Sequence, residues 1–389
     1  MEITADFDGG AIEVLRGADP LAVELGLRGD TGAHVRQWFC VRFDDVAGQP
    51  LAVSLMNAGE ATYAEAFEGY RVCASYDGER WFRVPTRFDG AVLRFLHTPA
   101  APSVTYAYFA PYSWQRHRAL VDAASAAPGV ALQVLGHSVL GRPMHLLVVD
   151  SPGPEPDRAW RGAPLRVWLI ARQHPGETMG QWLAQGLLAR LLDPGDPVAL
   201  AARRRAVFRV VPNMNPDGGV LGNQRTNAVG ADLNRAWLAP TAGESPEVLC
   251  VRSAMEASGV DVFVDVHGDE RNPWCFLAGC EGNPGYSERQ RLLENLFEQT
   301  LLATSRDFQD EYGYPRDEPG GGDLRTAGNW VGERFGCLSF TLEMPFKDNA
   351  NDPDPRAGWS PARSMELGAS LVEAILACLD WLGAAAPGG

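Results

Sequence analysis

Two textures of apolar and polar residues divide the chain. Over roughly residues 1–110, short runs alternate with period two and are separated by Gly, Asp and Pro: AIEVLRG, QWFCVRF, PLAVSLMN, YRVCASYDGERWFRV, AVLRFLH and VTYAYFA. Alternation of this kind buries one face of a strand, so the segment reads as an all-β domain, most simply a sandwich. SYDGERW marks a hairpin turn at Asp77-Gly78. Beyond Pro111 the pattern changes. SWQRHRALVDAASAA is helical with Ser113 as N-cap, and VALQVLGHSVLGRPMHLLVVDS gives two strands about a turn at Gly141-Arg142. Strand-like runs at 165–171, 206–212, 260–266 and 337–343 then alternate with helical patterns at 179–192, 245–258, 286–304 and 362–382. That rhythm predicts an α/β domain over 111–389 with a parallel or mixed sheet. The stretch 310–323, DEYGYPRDEPGGGD, reads as loop.

Composition narrows the function. With 49 Asp and Glu against 34 Lys and Arg, the formal charge of -15 leaves no broad basic field for nucleic acid. The Arg203-Arg204-Arg205 run reads as a solvated helix end. Seven cysteines, an odd number without CxxC spacing, read as reduced buried thiols and point to the cytoplasm. The acidic N-terminus does not resemble a secretory signal. The apolar late segment SMELGASLVEAILACLDWL carries three acids, so it reads as an amphipathic helix rather than a membrane span.

The chemistry gathers where the strands end. In open α/β sheets, ligands bind beyond the carboxyl ends of the strands. His174 and Glu177 follow the run 165–171, Asn213 to Asp217 follow 206–212, His267 follows 260–266, and Glu343 closes 337–343. Two His and a Glu are a set known at catalytic zinc sites, which leave a fourth position open. Singly, each could be a satisfied polar residue. A carboxylate ending so apolar a strand as LSFTLE, however, must be paired, bound to metal or catalytic. GNQRTNAVGADLNRAW (222–237) adds Arg225, Asn234 and Arg235, suited to binding an anion, and Asp232, suited to holding a ligand histidine's second nitrogen.

HPGET (174–178), NPDG (215–218), GNQR (222–225), DLNRAW (232–237), DVHG (265–268) and FTLEMP (340–345), in that order, resemble the zinc metallocarboxypeptidases. Together with the N-terminal β-domain and its QWFCVRF, they resemble most the cytosolic carboxypeptidase branch, whose eukaryotic members remove glutamates from tubulin tails. The resemblance implies a mixed eight-stranded sheet between helices, behind a β-sandwich. It implies that His174, Glu177 and His267 bind one Zn2+, that Glu343 is the general base, and that Arg225 polarises the scissile carbonyl. Asn234 and Arg235 would hold the substrate's terminal carboxylate, making the C-terminus of a peptide or protein the partner. Relatives of the pancreatic type carry a mobile active-site Tyr some twenty residues before the catalytic Glu; that window is PGGGDLR here, and Tyr314 further upstream is the substitute. Glutamate-removing relatives place a basic residue in a GTGR-like motif. The matching TAGN puts Asn329 there, with Arg325 as another source of charge. Two further readings stand beside the peptidase: an acylase or amidohydrolase on the same zinc site, and a non-catalytic binder with a vestigial site.

Overall fold

The computed structural model describes residues 1–151 and 163–384 of the 389. The first part consists of two five-stranded sheets. One runs Glu2–Thr4, Cys40–Asp44, Ser103–Ala107, Cys73–Ser75, Trp81–Arg83, antiparallel throughout. The other runs Glu13–Arg16, Val23–Gly26, Leu51–Leu55, Leu93–His97, Thr86–Phe88, with one parallel pair, Val23–Gly26 against Leu51–Leu55. Period-two alternation puts Leu51, Val53 and Leu55 in the core. The sheets meet there, with the rings of Phe95 and Tyr106, one from each, 4.8 Å apart. The expected hairpin at Asp77-Gly78 joins Cys73–Ser75 to Trp81–Arg83, and Gly78 takes the positive φ (74°) that the turn needs.

The second part is built on a mixed sheet ordered Val130–His137, Pro143–Val149, Ala206–Val211, Leu165–Ala171, Val262–Val266, Leu338–Glu343, Phe276–Ala278. The four central strands are parallel, and the flanking ones antiparallel. It has seven strands among the described residues, where the resemblance implied eight. Both faces are covered, which explains the unbroken apolar runs. Val167, Leu169 and Ala171 face the helices Met179–Leu191, Glu288–Thr304 and Pro361–Ala384. Trp168 and Ile170 face Pro246–Ser258 and Ala327–Phe335. Helices Met179–Leu191 and Pro361–Ala384 approach closely through reciprocal glycines: a Cβ on Gly186 would stand 2.1 Å from the Met365 carbonyl, and one on Gly368 2.1 Å from that of Leu183.

Beyond Pro111 the expected elements appear within two residues of their expected bounds, Ser113 capping its helix by accepting the Arg116 N–H at 3.1 Å. Short elements were not foreseen, among them the helix Pro216–Leu221 and the strand Phe276–Ala278. The arginine run does end a helix, but it is not wholly solvated: Arg203 is buried, donating to the carbonyls of Asp150 and Pro128. All seven cysteines are free thiols, six of them buried. Among the described residues, no helix is long and apolar enough to cross a membrane.

The two parts are joined by buried polar contacts. Trp38 donates its indole N–H to the Gly9 carbonyl at 2.8 Å, and the Gly9 N–H goes on to Val220 at 3.0 Å. The buried Arg83 donates to the carbonyls of Phe346 (2.8 Å), Ala357 (3.1 Å) and Trp359 (3.1 Å) across the junction.

Candidate active site

The strand Leu165–Ala171 ends in a bend made by Arg172, whose φ of 63° is left-handed, an uncommon conformation for a non-glycine residue. Its buried guanidinium holds the bend by donating to the carbonyls of Pro175 (2.8 Å) and Tyr112 (2.7 Å). Gly176 is needed for a different reason: a Cβ there would lie 2.3 Å from the Gln224 side-chain oxygen. The bend brings His174 and Glu177 inward, and the end of the neighbouring strand Val262–Val266 brings His267 to meet them.

Nδ1 of His174 lies 2.7 Å from Oε1 of Glu177, and Nδ1 of His267 lies 2.8 Å from Oε2 of the same carboxylate. The two Nδ1 atoms are 3.2 Å apart. The far nitrogens are each held by a carboxylate, Nε2 of His174 by Asp232 at 3.1 Å and Nε2 of His267 by Asp265 at 2.9 Å. Burial works against a charged His267, yet Asp265 and Glu177 outweigh it and lift its pKa above the usual imidazole range. Two imidazole nitrogens and a carboxylate, all within 4.8 Å of one another, with carboxylates orienting both rings, fit zinc and leave coordination positions open.

Glu343 ends the next strand, Leu338–Glu343. One of its oxygens, Oε1, lies 3.2 Å from the Tyr314 hydroxyl, and the other is buried without a partner among the described residues. Burial raises its pKa well above the carboxylate range; His267 pulls the other way, but Glu177, Asp269 and Glu270 add to the rise.

A cleft of about 1000 Å³ opens over these groups, and Arg225, Asn234, Arg235 and Tyr314 line it with the triad and Glu343. Arg225 donates from Nε to Asp232 at 2.8 Å, and although burial opposes its charge, Asp232 secures it and raises its pKa. Asn234 accepts from the Ala327 N–H at 2.8 Å, with its Nδ2 3.4 Å from Nε2 of His267. Arg235 is partly exposed on the wall, 3.8 Å from Asp323. Arg325 is not brought in: it pairs with Asp323 two residues away at 2.8 Å, is exposed, and lies outside the lining.

Several groups here escaped the sequence reading. Asp265 stood in the quoted DVHG, and its position two residues before His267, a candidate metal ligand, was the available signal. Gln173 donates to Asp265 at 2.8 Å and accepts from the Trp237 indole at 2.7 Å. Tyr63 of the β-sandwich also lines the cleft, its hydroxyl 3.2 Å from Nη1 of Arg225, and no local spacing could have announced it.

Comparison with known proteins agrees with this geometry. Residues 3–109 match the family model of the cytosolic carboxypeptidase N-terminal domain, and residues 117–364 that of zinc carboxypeptidase. A metallo-carboxypeptidase from Burkholderia cenocepacia is 46% identical over 98% of this chain and 99% of its own, with a TM-score of 0.93. A metallo-carboxypeptidase from Pseudomonas aeruginosa, solved in complex with (2-guanidinoethylmercapto)succinic acid, is 45% identical over 98% of this chain and 100% of its own, also with a TM-score of 0.93. Cytosolic carboxypeptidase 6 of Caenorhabditis elegans is 27% identical over 83% of this chain and 74% of its own length. The chain belongs to the zinc carboxypeptidase family, carries the N-terminal domain of its cytosolic carboxypeptidases, and is a metallocarboxypeptidase.

Proposed function

We propose that this enzyme acts in the cytoplasm, removing single residues from the free C-termini of peptides or protein tails, with a 1–110 β-sandwich and a 111–389 catalytic unit sharing one site. The meeting in one cleft of His174, Glu177 and His267 with an unpaired Glu343 oxygen and two guanidinium groups supports this reading most. His174, Glu177 and His267 would hold a single zinc ion. Bound there, zinc supplies a Lewis acid for the scissile carbonyl and lowers the pKa of a water toward about 7.

The protein's own groups do the rest. Asn234 and Arg235 hold the terminal carboxylate, an anion that an internal peptide bond does not offer. Arg225, its charge secured by Asp232, faces the carbonyl oxygen, where negative charge grows in the transition state. Glu343 takes the proton of the attacking water on its unpaired oxygen and passes it to the leaving amine.

The acidic lining of the cleft supports a lysine or arginine as the residue removed. Glu281, Glu294 and Glu298 line it and outnumber the arginine beside them, Arg316, while Asn329 offers no charge and donates to the Asp323 carbonyl at 3.3 Å. The guanidino ligand of the Pseudomonas relative accords with such a wall.

Twenty N-acetylated pentapeptides differing only in the last residue, incubated with zinc-loaded enzyme and followed by mass spectrometry, test the proposal. The expected result is loss of one C-terminal residue, fastest for Lys and Arg. Release of amino acids from N-acyl amino acids, with every peptide intact, would establish an acylase instead.

A further inference from the structure

The β-sandwich reaches the site at two places. Asp30 is 6% exposed and spends its carboxylate on one loop of the other domain. Its Oδ1 accepts the Gln224 N–H at 2.7 Å, and its Oδ2 accepts the N–H of Arg225 (2.8 Å), the N–H of Thr226 (2.9 Å) and the Thr226 hydroxyl (3.1 Å). Among the described residues it has no ion pair, so these donors alone compensate a carboxylate that is costly to bury. Thr31 adds its N–H and hydroxyl to Oδ1 of Asn223 at 3.0 and 3.2 Å. The backbone of Arg225 is thus fixed from the neighbouring domain.

The second place is Tyr63, whose hydroxyl lies 3.2 Å from Nη1 of Arg225. Its own backbone is clamped by Gln37, the first residue of QWFCVRF: the Tyr63 N–H donates to Gln37 Oε1 at 3.0 Å, and Gln37 Nε2 donates back to the Tyr63 carbonyl at 3.4 Å. Gln37 is fully buried and also donates to the Tyr108 hydroxyl at 3.1 Å. The motif therefore anchors the residue that steadies the far end of the Arg225 side chain.

We propose that the N-terminal β-sandwich is part of the peptidase site, with Asp30 the positioning residue for the Arg225 backbone and Tyr63, through Gln37, the positioning residue for its guanidinium. The proposal rests on the role given to Arg225 above. A guanidinium that must meet charge at the carbonyl oxygen loses effect when displaced by even 1 Å, so the loss falls on kcat rather than KM.

The test uses the full zinc-loaded chain and the fastest-cleaved pentapeptide. Asp30→Ala is expected to lower kcat about 10- to 100-fold with KM within about threefold, and Tyr63→Phe about threefold to tenfold. Neither loss should appear when the substitution is made on top of Arg225→Ala, because the group being positioned is gone. Losses of equal size in that background would overturn the proposal, as would no loss at all. Arg225→Ala with unchanged kcat would instead remove the reading on which it rests. Hydrogen exchange reports without turnover: the amides of residues 224–226 should exchange at least about tenfold faster in Asp30→Ala while those of Leu165–Ala171 do not change. Unchanged protection at 224–226 would contradict the proposal. Should Asp30→Ala fail to fold, Tyr63→Phe, which keeps the ring, carries the cycle alone.

Discussion

Tyr314 places its hydroxyl 3.2 Å from Oε1 of Glu343 and 2.7 Å from Oδ2 of Asp269. It comes from a stretch without regular structure, steadied by an edge-on contact with the Phe276 ring at 4.9 Å. Tyr314 is 47% exposed as a whole, but at its hydroxyl end desolvation and the charges of Glu343 and Asp269 raise its pKa, so it stays a phenol. Its single proton serves either Asp269, the nearer acceptor, or Glu343 Oε1, and the other Glu343 oxygen has no partner among the described residues. Tyr314→Phe is expected to lower kcat about tenfold on the fastest pentapeptide. An unchanged kcat would remove the hydroxyl from the reaction.

The carboxylates behind the histidines should tune metal affinity. Asp232→Asn and Asp265→Asn each leave a ring nitrogen without its anionic partner, and each is expected to weaken zinc binding about 10- to 100-fold in a chelator competition. His174→Ala should abolish stoichiometric zinc. Equal affinity in both Asn variants would mean that the rings are oriented by packing alone.

Glu294 gives the cleft a pH dependence. Burial, helped by Glu281, pushes its carboxyl up to about 7 from 4.5, against the Tyr286 hydroxyl 3.0 Å away. A carboxyl raised on folding stabilises the fold below its unfolded value, and that contribution is lost as pH rises through the folded one. The Tm of Glu294→Gln should therefore rise relative to wild type between about pH 5 and about pH 8. Over the same range, wild type should increasingly prefer a C-terminal Arg to Gln as the wall becomes anionic. A flat preference with a flat Tm difference would show that Glu294 does not titrate there.

Arg83 should carry much of the junction. It donates to four carbonyls of the other domain, those of Phe346, Lys347, Ala357 and Trp359, and to the Arg71 carbonyl of its own. Arg83→Ala leaves those acceptors buried and unpaired, an expected loss of about 3 kcal/mol in urea unfolding. Arg83→Lys, without the planar fork, should recover only part of it. A loss under about 0.5 kcal/mol would mean that water replaces the guanidinium.

The central strands were legible because they bury runs of apolar residues, as Leu165–Ala171 does on both faces, and the long helices because they bury a spaced apolar stripe, as Glu288–Thr304 does with Leu293, Phe297 and Leu301. The triad was legible for a related reason: strand ends are where polar side chains can converge, and His174, Glu177, His267 and Glu343 all sit there. Arg325 misled because its charge is spent on Asp323, a local pairing that competes with any pocket. Pro216–Leu221 is too short to show a period, and its start is set by Asn215 capping the Gly218 N–H. The ties from Asp30 and Tyr63 to Arg225 span 195 and 162 residues, so they become visible only when the two domains meet.

The central claim is that the enzyme reads a free terminal carboxylate and uses Glu343 to move the proton. The most direct measurement compares one peptide as its C-terminal acid and as its amide, by mass spectrometry, with zinc-loaded wild type and Glu343→Gln. The account predicts stepwise loss of terminal residues from the acid, at least about a hundredfold slower cleavage of the amide, and almost none of either by the variant. Equal cleavage of acid and amide, internal cuts, or an active Glu343→Gln variant would contradict it.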